Sequence, residues 1–279
     1  MAEGMGSGAE ELPVADGGEG TLDVIHGALG GEWQEASARW LSLPGEVAAV
    51  ESADLIGLGR MAEPDLFERS TRALGGLINE VMDTGPSELI VFLGGTATVD
   101  GGAGLLEAVG ELHVPTQAAC DVRAPLLDAV WVFAEQKGAT PEQLPELERR
   151  LLDIPALEPY RDLPGAGAAG GLGAALASLG AELVEGAQLV LELIGFRDRL
   201  ARAELVVTGE GTVDRSTFMG KAPAAVIEAS TPVRCVLFGG RVLERRRGLE
   251  IYELSGDPAR AREDLVELGR RLSAMARTS

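Results

Sequence analysis

Lysine is almost missing from this sequence: Lys137 and Lys221 are its only two, and Lys plus Arg total 24 against 44 Asp plus Glu. The resulting net charge of −20 repels phosphodiester backbones and anionic headgroups within a Debye length, so nucleic acid and membrane surfaces are not expected partners. Aromatic residues make up 4%, which argues against an aromatic-rich docking surface and for close packing of small side chains. The two cysteines, Cys120 and Cys235, lie far apart without CxxC spacing. That excludes a disulfide scaffold or a thiolate metal knuckle and predicts a reduced, cytoplasmic protein. His26 and His113 have no companions at ligand spacing, so a zinc site has no support. No basic and apolar leader opens the chain, and no apolar run approaches the ~20 residues a membrane helix requires, so a soluble chain is expected. Without a GxSxG elbow, Ser-His-Asp hydrolysis lacks its nucleophile.

What the chain has instead is glycine, 38 residues of it, and a recurring order of apolar run, glycine-rich loop with an aspartate, and helical segment. Residues 12–15 lead into Asp16-Gly-Gly-Glu-Gly20 and a helix opened by Thr21. Residues 89–93 lead into Gly94-Gly-Thr-Ala-Thr-Val-Asp-Gly-Gly-Ala-Gly104 and a helix over 105–112. Residues 204–207 lead into Thr208-Gly-Glu-Gly-Thr-Val-Asp214, a helix over 223–229 and a further apolar run at 233–238. Short apolar runs joined through helices predict parallel strands covered on both faces, hence an α/β fold, and the length favours two domains. Loops that follow such strands collect at the carboxyl edge of the sheet, where helix N-termini leave amide N–H groups free for a ligand.

Other segments read as scaffold. Thr140-Pro-Glu-Gln143 is a capping box ahead of a helix that aligns Leu144, Leu147 and Leu151 on one face. Asp257-Pro258 opens the last helix, with Leu265, Leu268, Leu272 and Met275 as its apolar stripe. The basic tract at 241–247 reads as a solvated helix end. Residues 165–173 contain GxGxxG, but a polar, proline-bounded stretch stands where a Rossmann site needs a strand, so they read as a loop running into a helix over 174–179. Gly220-Lys221 resembles the end of a Walker A loop, yet Ala222 follows where serine or threonine is required. Carboxylates on glycine loops remain, and these suit phosphoryl transfer to a hydroxyl.

Six segments in order resemble the motifs of the bacterial class I glycerate kinases. They are Pro13-Val-Ala-Asp-Gly-Gly-Glu-Gly-Thr21, the Gly94 to Gly104 loop, Ala119-Cys-Asp-Val122, Gln136-Lys-Gly-Ala-Thr140, Pro164-Gly-Ala-Gly-Ala-Ala-Gly-Gly-Leu-Gly-Ala174, and Thr208 to Asp214 with Gly220-Lys-Ala-Pro223. The resemblance implies a flavodoxin-like parallel-sheet domain built from both chain ends, residues 1–30 and 190–279, with a second α/β domain, residues 31–189, inserted between them. It places the active site in the cleft, with ATP and Mg²⁺ as cofactors and D-glycerate as the small hydroxy-acid partner. The usual product is 2-phosphoglycerate. A homodimer is compatible with it.

On this reading Asp100, Asp214 and Asp16 are the catalytic acids, with Asp16 and Asp214 also the candidates for holding Mg²⁺. Substrate and phosphates are assigned to Gly17, Gly18, Glu19, Gly94, Gly95, Thr96, Thr98, Gly165, Gly167, Gly170, Glu210 and Lys221. The family pattern opens with a strand and a loop carrying an aspartate, a serine and a lysine, and this sequence begins after both, so a sheet short of one strand is expected. Val99 and Ala124 stand where the pattern has asparagine, and Arg72-Ala-Leu-Gly-Gly76 replaces a Tyr-Gly-Thr-Gly-Glu-like stretch. The alternative reading is a relative that binds a ligand or partner without turnover.

Overall fold

The structure, a computed structural model, describes residues 1–276 apart from 7, 62–64 and 219. Contacts divide it into two compact units, Val14–Ile194 and Met1–Pro13 with Gly195–Ser279. Both are α/β.

The larger unit is built on a six-stranded sheet in sequential order. β1 (Glu32–Glu35), β2 (Arg39–Leu43) and β3 (Val47–Glu51) form an antiparallel meander, and β3 then runs parallel to β4 (Glu88–Phe92), β5 (Thr116–Cys120) and β6 (Glu182–Glu185). Leu89, Ile90, Val91 and Phe92 are all buried, as the central strand of a sheet covered on both faces must be. Helices α1 (Thr21–Leu29), α2 (Arg72–Met82), α3 (Ala103–Ala108), α4 (Leu144–Leu152), α5 (Ala168–Ser178) and α6 (Gly186–Leu193) belong to this unit. α2 shows why: Leu74, Leu77, Ile78 and Val81 repeat at helical spacing and every one is fully buried, each worth roughly 1.5–3 kcal/mol of apolar burial. The capping box at Thr140 forms, Thr140 N donating to Gln143 Oε1 at 2.9 Å, and Leu144, Leu147 and Leu151 are buried as the sequence predicts.

The smaller unit holds a parallel sheet of β7 (Leu205–Val213), β8 (Arg234–Val242) and β9 (Glu250–Glu253), with α7 (Ala222–Ala229) and α8 (Ala261–Ala276). Val236 from the central strand packs with Leu268 and Leu272 of α8, the middle of the stripe read from the sequence. Among the described residues no helix is long and apolar enough to cross a membrane.

Several local expectations need correcting. Residues 12–15 form no strand; Pro13 has no N–H to give a ladder. Residues 208–213 are not a loop but the second half of β7, paired in register from Thr208↔Leu237 to Val213↔Val242. Gly209 is required there because a β-carbon would come within 2.5 Å of the Phe238 ring. Arg241 and Val242 extend β8 rather than end a helix. α3 spans six residues, shorter than the 105–112 segment expected, and Val109 leaves it in an extended conformation. The tract at 165–173 passes through three left-handed residues, Ala169, Gly170 and Gly171, and the right-handed helix runs on from Leu172, two residues ahead of the expected start. α1 packs on β2 and β3.

Candidate active site

In the larger unit four parallel strands end on one edge, and the loops that leave them meet there. The Asp16 to Gly20 loop is seated over β4 and β5: Gly94 N donates to Gly17 O at 2.9 Å, and a β-carbon on Gly17 would lie 3.4 Å from Ala119 O. The approach is close enough that a β-carbon on Gly94 would lie 2.6 Å from Gly18 Cα. Asp16 Oδ1 accepts Gly18 N at 3.2 Å, tightening the loop on itself, and Thr21 Oγ1 donates to Gly18 O at 2.7 Å. Glu51, at the end of β3, accepts Gly20 N on Oε1 at 2.7 Å and Leu22 N on Oε2 at 3.1 Å. It thereby caps α1, whose own N-cap Gly20 has no side chain to do so. Burial raises the Glu51 carboxyl above its ordinary value, against the opposing pull of the two N–H groups.

Asp100 organises the next loop. Its Oδ2 accepts Thr71 N and Thr71 Oγ1, both at 2.9 Å, and Gly104 N at 3.3 Å, while Oδ1 accepts Gly102 N at 3.1 Å. Thr71 Oγ1 in turn accepts Leu105 N at 2.9 Å. Together the two side chains satisfy the first turn of α3 and the amide ahead of α2, the usual need of orphaned helix N–H groups. Both carboxylate oxygens of Asp100 are therefore already engaged.

Lys137 is buried, 8% exposed, and crosses to the same loop. Its Nζ donates to Thr96 Oγ1 at 3.2 Å and to Thr98 O at 3.0 Å. Burial pulls the ammonium down to about 8, while the charges of Asp121 and Asp100 oppose the shift and Arg69 adds to it. Asp121, one residue past β5, is pushed up by burial and by Asp16 and pulled down by Lys137. Two side-chain oxygens here, Asp121 Oδ1 and Thr98 Oγ1, are buried without a hydrogen-bond partner. Val99, in place of the family's asparagine, packs in the core at 2% exposed.

The segment at 165–173 closes against these loops. Gly170 O accepts Gly101 N at 3.0 Å, and a β-carbon on Gly170 would collide with the Thr98 carbonyl. Ala169, Gly170 and Gly171 are all left-handed, with φ of 54°, 73° and 94°. Such backbone is strained for alanine. Gly165 sits against Cys120, and Gly167 N donates to Ala124 O at 2.9 Å. Cys120 is a free thiol that burial pushes up to about 12, so it is inert.

The smaller unit carries the third nominated group. Asp214, just after β7, accepts Ser216 N at 2.7 Å and Ser216 Oγ at 2.6 Å on Oδ1. These bonds, with lesser help from Thr217 and the Lys221 charge, hold its carboxyl below the ordinary range. Lys221 Nζ stands 3.6 Å from Glu210 Oε2, whose other oxygen is buried without a partner. Lys221 also precedes the first turn of α7, where Pro223 occupies an early helical position.

The larger unit thus brings together Asp16, Gly17, Gly18, Glu19, Gly94, Gly95, Thr96, Thr98, Asp100 and Gly170, with Gly165 and Gly167 at the same strand ends. Asp214, Glu210 and Lys221 cluster within the smaller unit. Asp121, Lys137, Glu51 and Thr71 were not nominated from the sequence. A concavity of about 400 Å³ beside Cys120, Val122, Tyr160, Leu163 and Leu183 is largely apolar, and none of Asp16, Asp100, Asp121 or Lys137 lines it. The polar convergence, rather than that concavity, marks where chemistry is possible.

Among the described residues no group of three or more His, Cys, Asp or Glu side chains is placed to hold a metal.

A model of the glycerate kinase family matches residues 2–115 and 111–257. A glycerate kinase of Halalkalibacterium halodurans is 34% identical over 274 residues, covering 78% of this chain and 72% of the relative. A glycerate 2-kinase of Escherichia coli K12 is 32% identical, covering 77% of this chain and 71% of the relative. The crystal structure of a candidate glycerate kinase 2 from Salmonella typhimurium LT2 superposes with a TM-score of 0.75 at 29% identity, over 96% of this chain and 88% of that one.

Proposed function

The chain belongs to the glycerate kinase family, and we propose that it transfers the γ-phosphoryl group of ATP to a hydroxyl of D-glycerate, forming 2-phosphoglycerate. The observation that carries the reading is the packing of the Asp16, Gly94 and Gly165 loops against one another at the carboxyl edge of a parallel sheet. Phosphoryl transfer asks mainly for positioning and for donors aimed at oxygens that gain charge. The glycine loops offer N–H groups. In a chain of net charge −20, such local donors are what make an anionic substrate tolerable.

Magnesium bound with the nucleotide would shield its phosphate oxygens. Asp16 uses Oδ1 in a local hydrogen bond, which leaves Oδ2 suited to that cation. Lys221 is the counter-charge for the polyphosphate, with Glu210 holding it near the start of α7. Asp100 keeps the Gly94 to Gly104 loop in shape through Thr71 and the α3 amides. The two free thiols suit a reducing, cytoplasmic setting.

The test is ADP release by the purified chain with MgATP, with and without D-glycerate. Release that requires D-glycerate and is at least tenfold slower with L-glycerate or lactate supports the reading. Release indifferent to the hydroxy acid refutes it.

A further inference from the structure

We propose that Asp121 is the residue that takes the proton of the acceptor hydroxyl, and that Lys137, which fixes the adjoining Thr96 to Thr98 loop, is its positioning residue. The inference rests on the kinase reading above and deepens it.

The three aspartates nominated from the sequence are engaged. Asp100 receives four hydrogen bonds, Asp16 holds its own loop, and Asp214 is gripped by Ser216. Asp121 differs: its Oδ1 is buried and accepts nothing. A buried acceptor without a donor is costly, on the order of 1–3 kcal/mol and more for a charged group, and the O–H of a bound alcohol supplies the missing donor. Asp121 lies one residue beyond β5, at the strand ends where the Asp16 loop is seated. Thr98 Oγ1, likewise buried without a partner, lies on the loop Lys137 holds.

Lys137 ties that arrangement together. It donates to Thr96 Oγ1 and Thr98 O and acts through its charge on both Asp121 and Asp100. The loop that would meet the phosphate and the acid that would meet the hydroxyl thus share one ammonium group.

In the step itself the hydroxyl O–H bond breaks and its proton moves to a carboxylate oxygen of Asp121. The hydroxyl oxygen forms a bond to the γ-phosphorus. The bond from that phosphorus to the β–γ bridging oxygen breaks, its electron pair leaving on ADP, and Asp121 later returns the proton to water. A base in this role contributes roughly 10²–10⁴-fold.

The experiment measures kcat and both KM values of the full chain and of Asp121→Asn, Asp121→Ser, Lys137→Met and the Asp121→Asn/Lys137→Met double variant, with MgATP binding by calorimetry as the check on folding. The expected result is a loss of at least 100-fold in kcat for the Asp121 variants, with KM for D-glycerate and ATP within about threefold of wild type. Lys137→Met loses at least tenfold, and the double variant is no slower than Asp121→Asn, because the lysine acts through the aspartate. An Asp121 variant that binds MgATP and keeps more than a tenth of wild-type kcat overturns the assignment, as does a double variant whose losses multiply. Should the Asn variant not fold, the Ser variant decides by the same criteria. Wild-type turnover separates the two readings: an inactive wild type overturns the kinase reading together with this one, whereas an active wild type with unimpaired variants overturns only this one.

Discussion

The carboxylate of Glu51 accepts the amide N–H of Gly20 at 2.7 Å across 31 residues of sequence, and this one contact joins the end of β3 to the Asp16 loop and to the start of α1. Replacing Glu51 by alanine leaves Gly20 N and Leu22 N without acceptors in a protein interior. The expected loss of stability is about 2–4 kcal/mol, read as a lower midpoint of urea denaturation at unchanged slope. A change under 0.5 kcal/mol would mean that the cap is replaceable by water.

Lys137 sets a pH dependence of stability. Its folded value is pulled down to about 8, while in the unfolded chain it titrates near its ordinary ~10.4. Between those values the unfolded chain holds a proton that the folded one has released, so stability rises with pH across the window; below it the burial cost is fully present. Lys137→Met has no such group. The stability of Lys137→Met minus that of wild type should therefore fall by about 2–3 kcal/mol between pH 7.5 and pH 10. Denaturation curves at both values check this, and a difference that stays constant contradicts it.

Gly170 is fixed by two demands at once, a φ of 73° and contact with the Thr98 carbonyl. Gly170→Ala should cost about 2–4 kcal/mol and lower kcat by displacing the loop that Lys137 holds. Gly110→Ala, where nothing lies within 4 Å of the new β-carbon, is the control and should stay within about 0.5 kcal/mol of wild type. Equal effects at the two positions would remove Gly170 from the site.

Lys221 pairs with Glu210 at 3.6 Å and is assigned to the polyphosphate. Lys221→Met should raise KM for ATP at least tenfold, about 1.4 kcal/mol of binding, and leave KM for D-glycerate within about twofold. Initial rates with ATP varied at saturating D-glycerate measure it. A change confined to D-glycerate would move Lys221 to the acceptor side.

The parts of this site that could be read from the sequence are the local ones. An apolar run followed by glycines, an aspartate and a helix start is written in consecutive residues, so the Asp16 and Asp100 loops could be located, as could the glycine tract near Gly170. Glu51 could not, because its cap is made 29 and 31 residues away and an acid ending an apolar run carries no local sign of its partner. Asp121 stood inside a motif of the resemblance, but its distinguishing feature, an oxygen buried without a donor, exists only once the loops have packed. Lys137 had a signal in its rarity, and its burial supplied the rest. The Thr208 to Val213 stretch misled in the opposite direction. Its glycines read as a loop, whereas Gly209 makes room for the Phe238 ring and the stretch pairs in register with the neighbouring strand.

Following the γ-phosphorus of ATP by ³¹P NMR, in a mixture of the purified chain, magnesium and D-glycerate, tests the account most directly. The account predicts that the γ signal gives way to a phosphomonoester resonance, coupled to a carbon-bound proton of the glycerate, in step with the ADP signals and only when D-glycerate is present. ATP that persists unchanged, or that yields inorganic phosphate with no monoester, would contradict it.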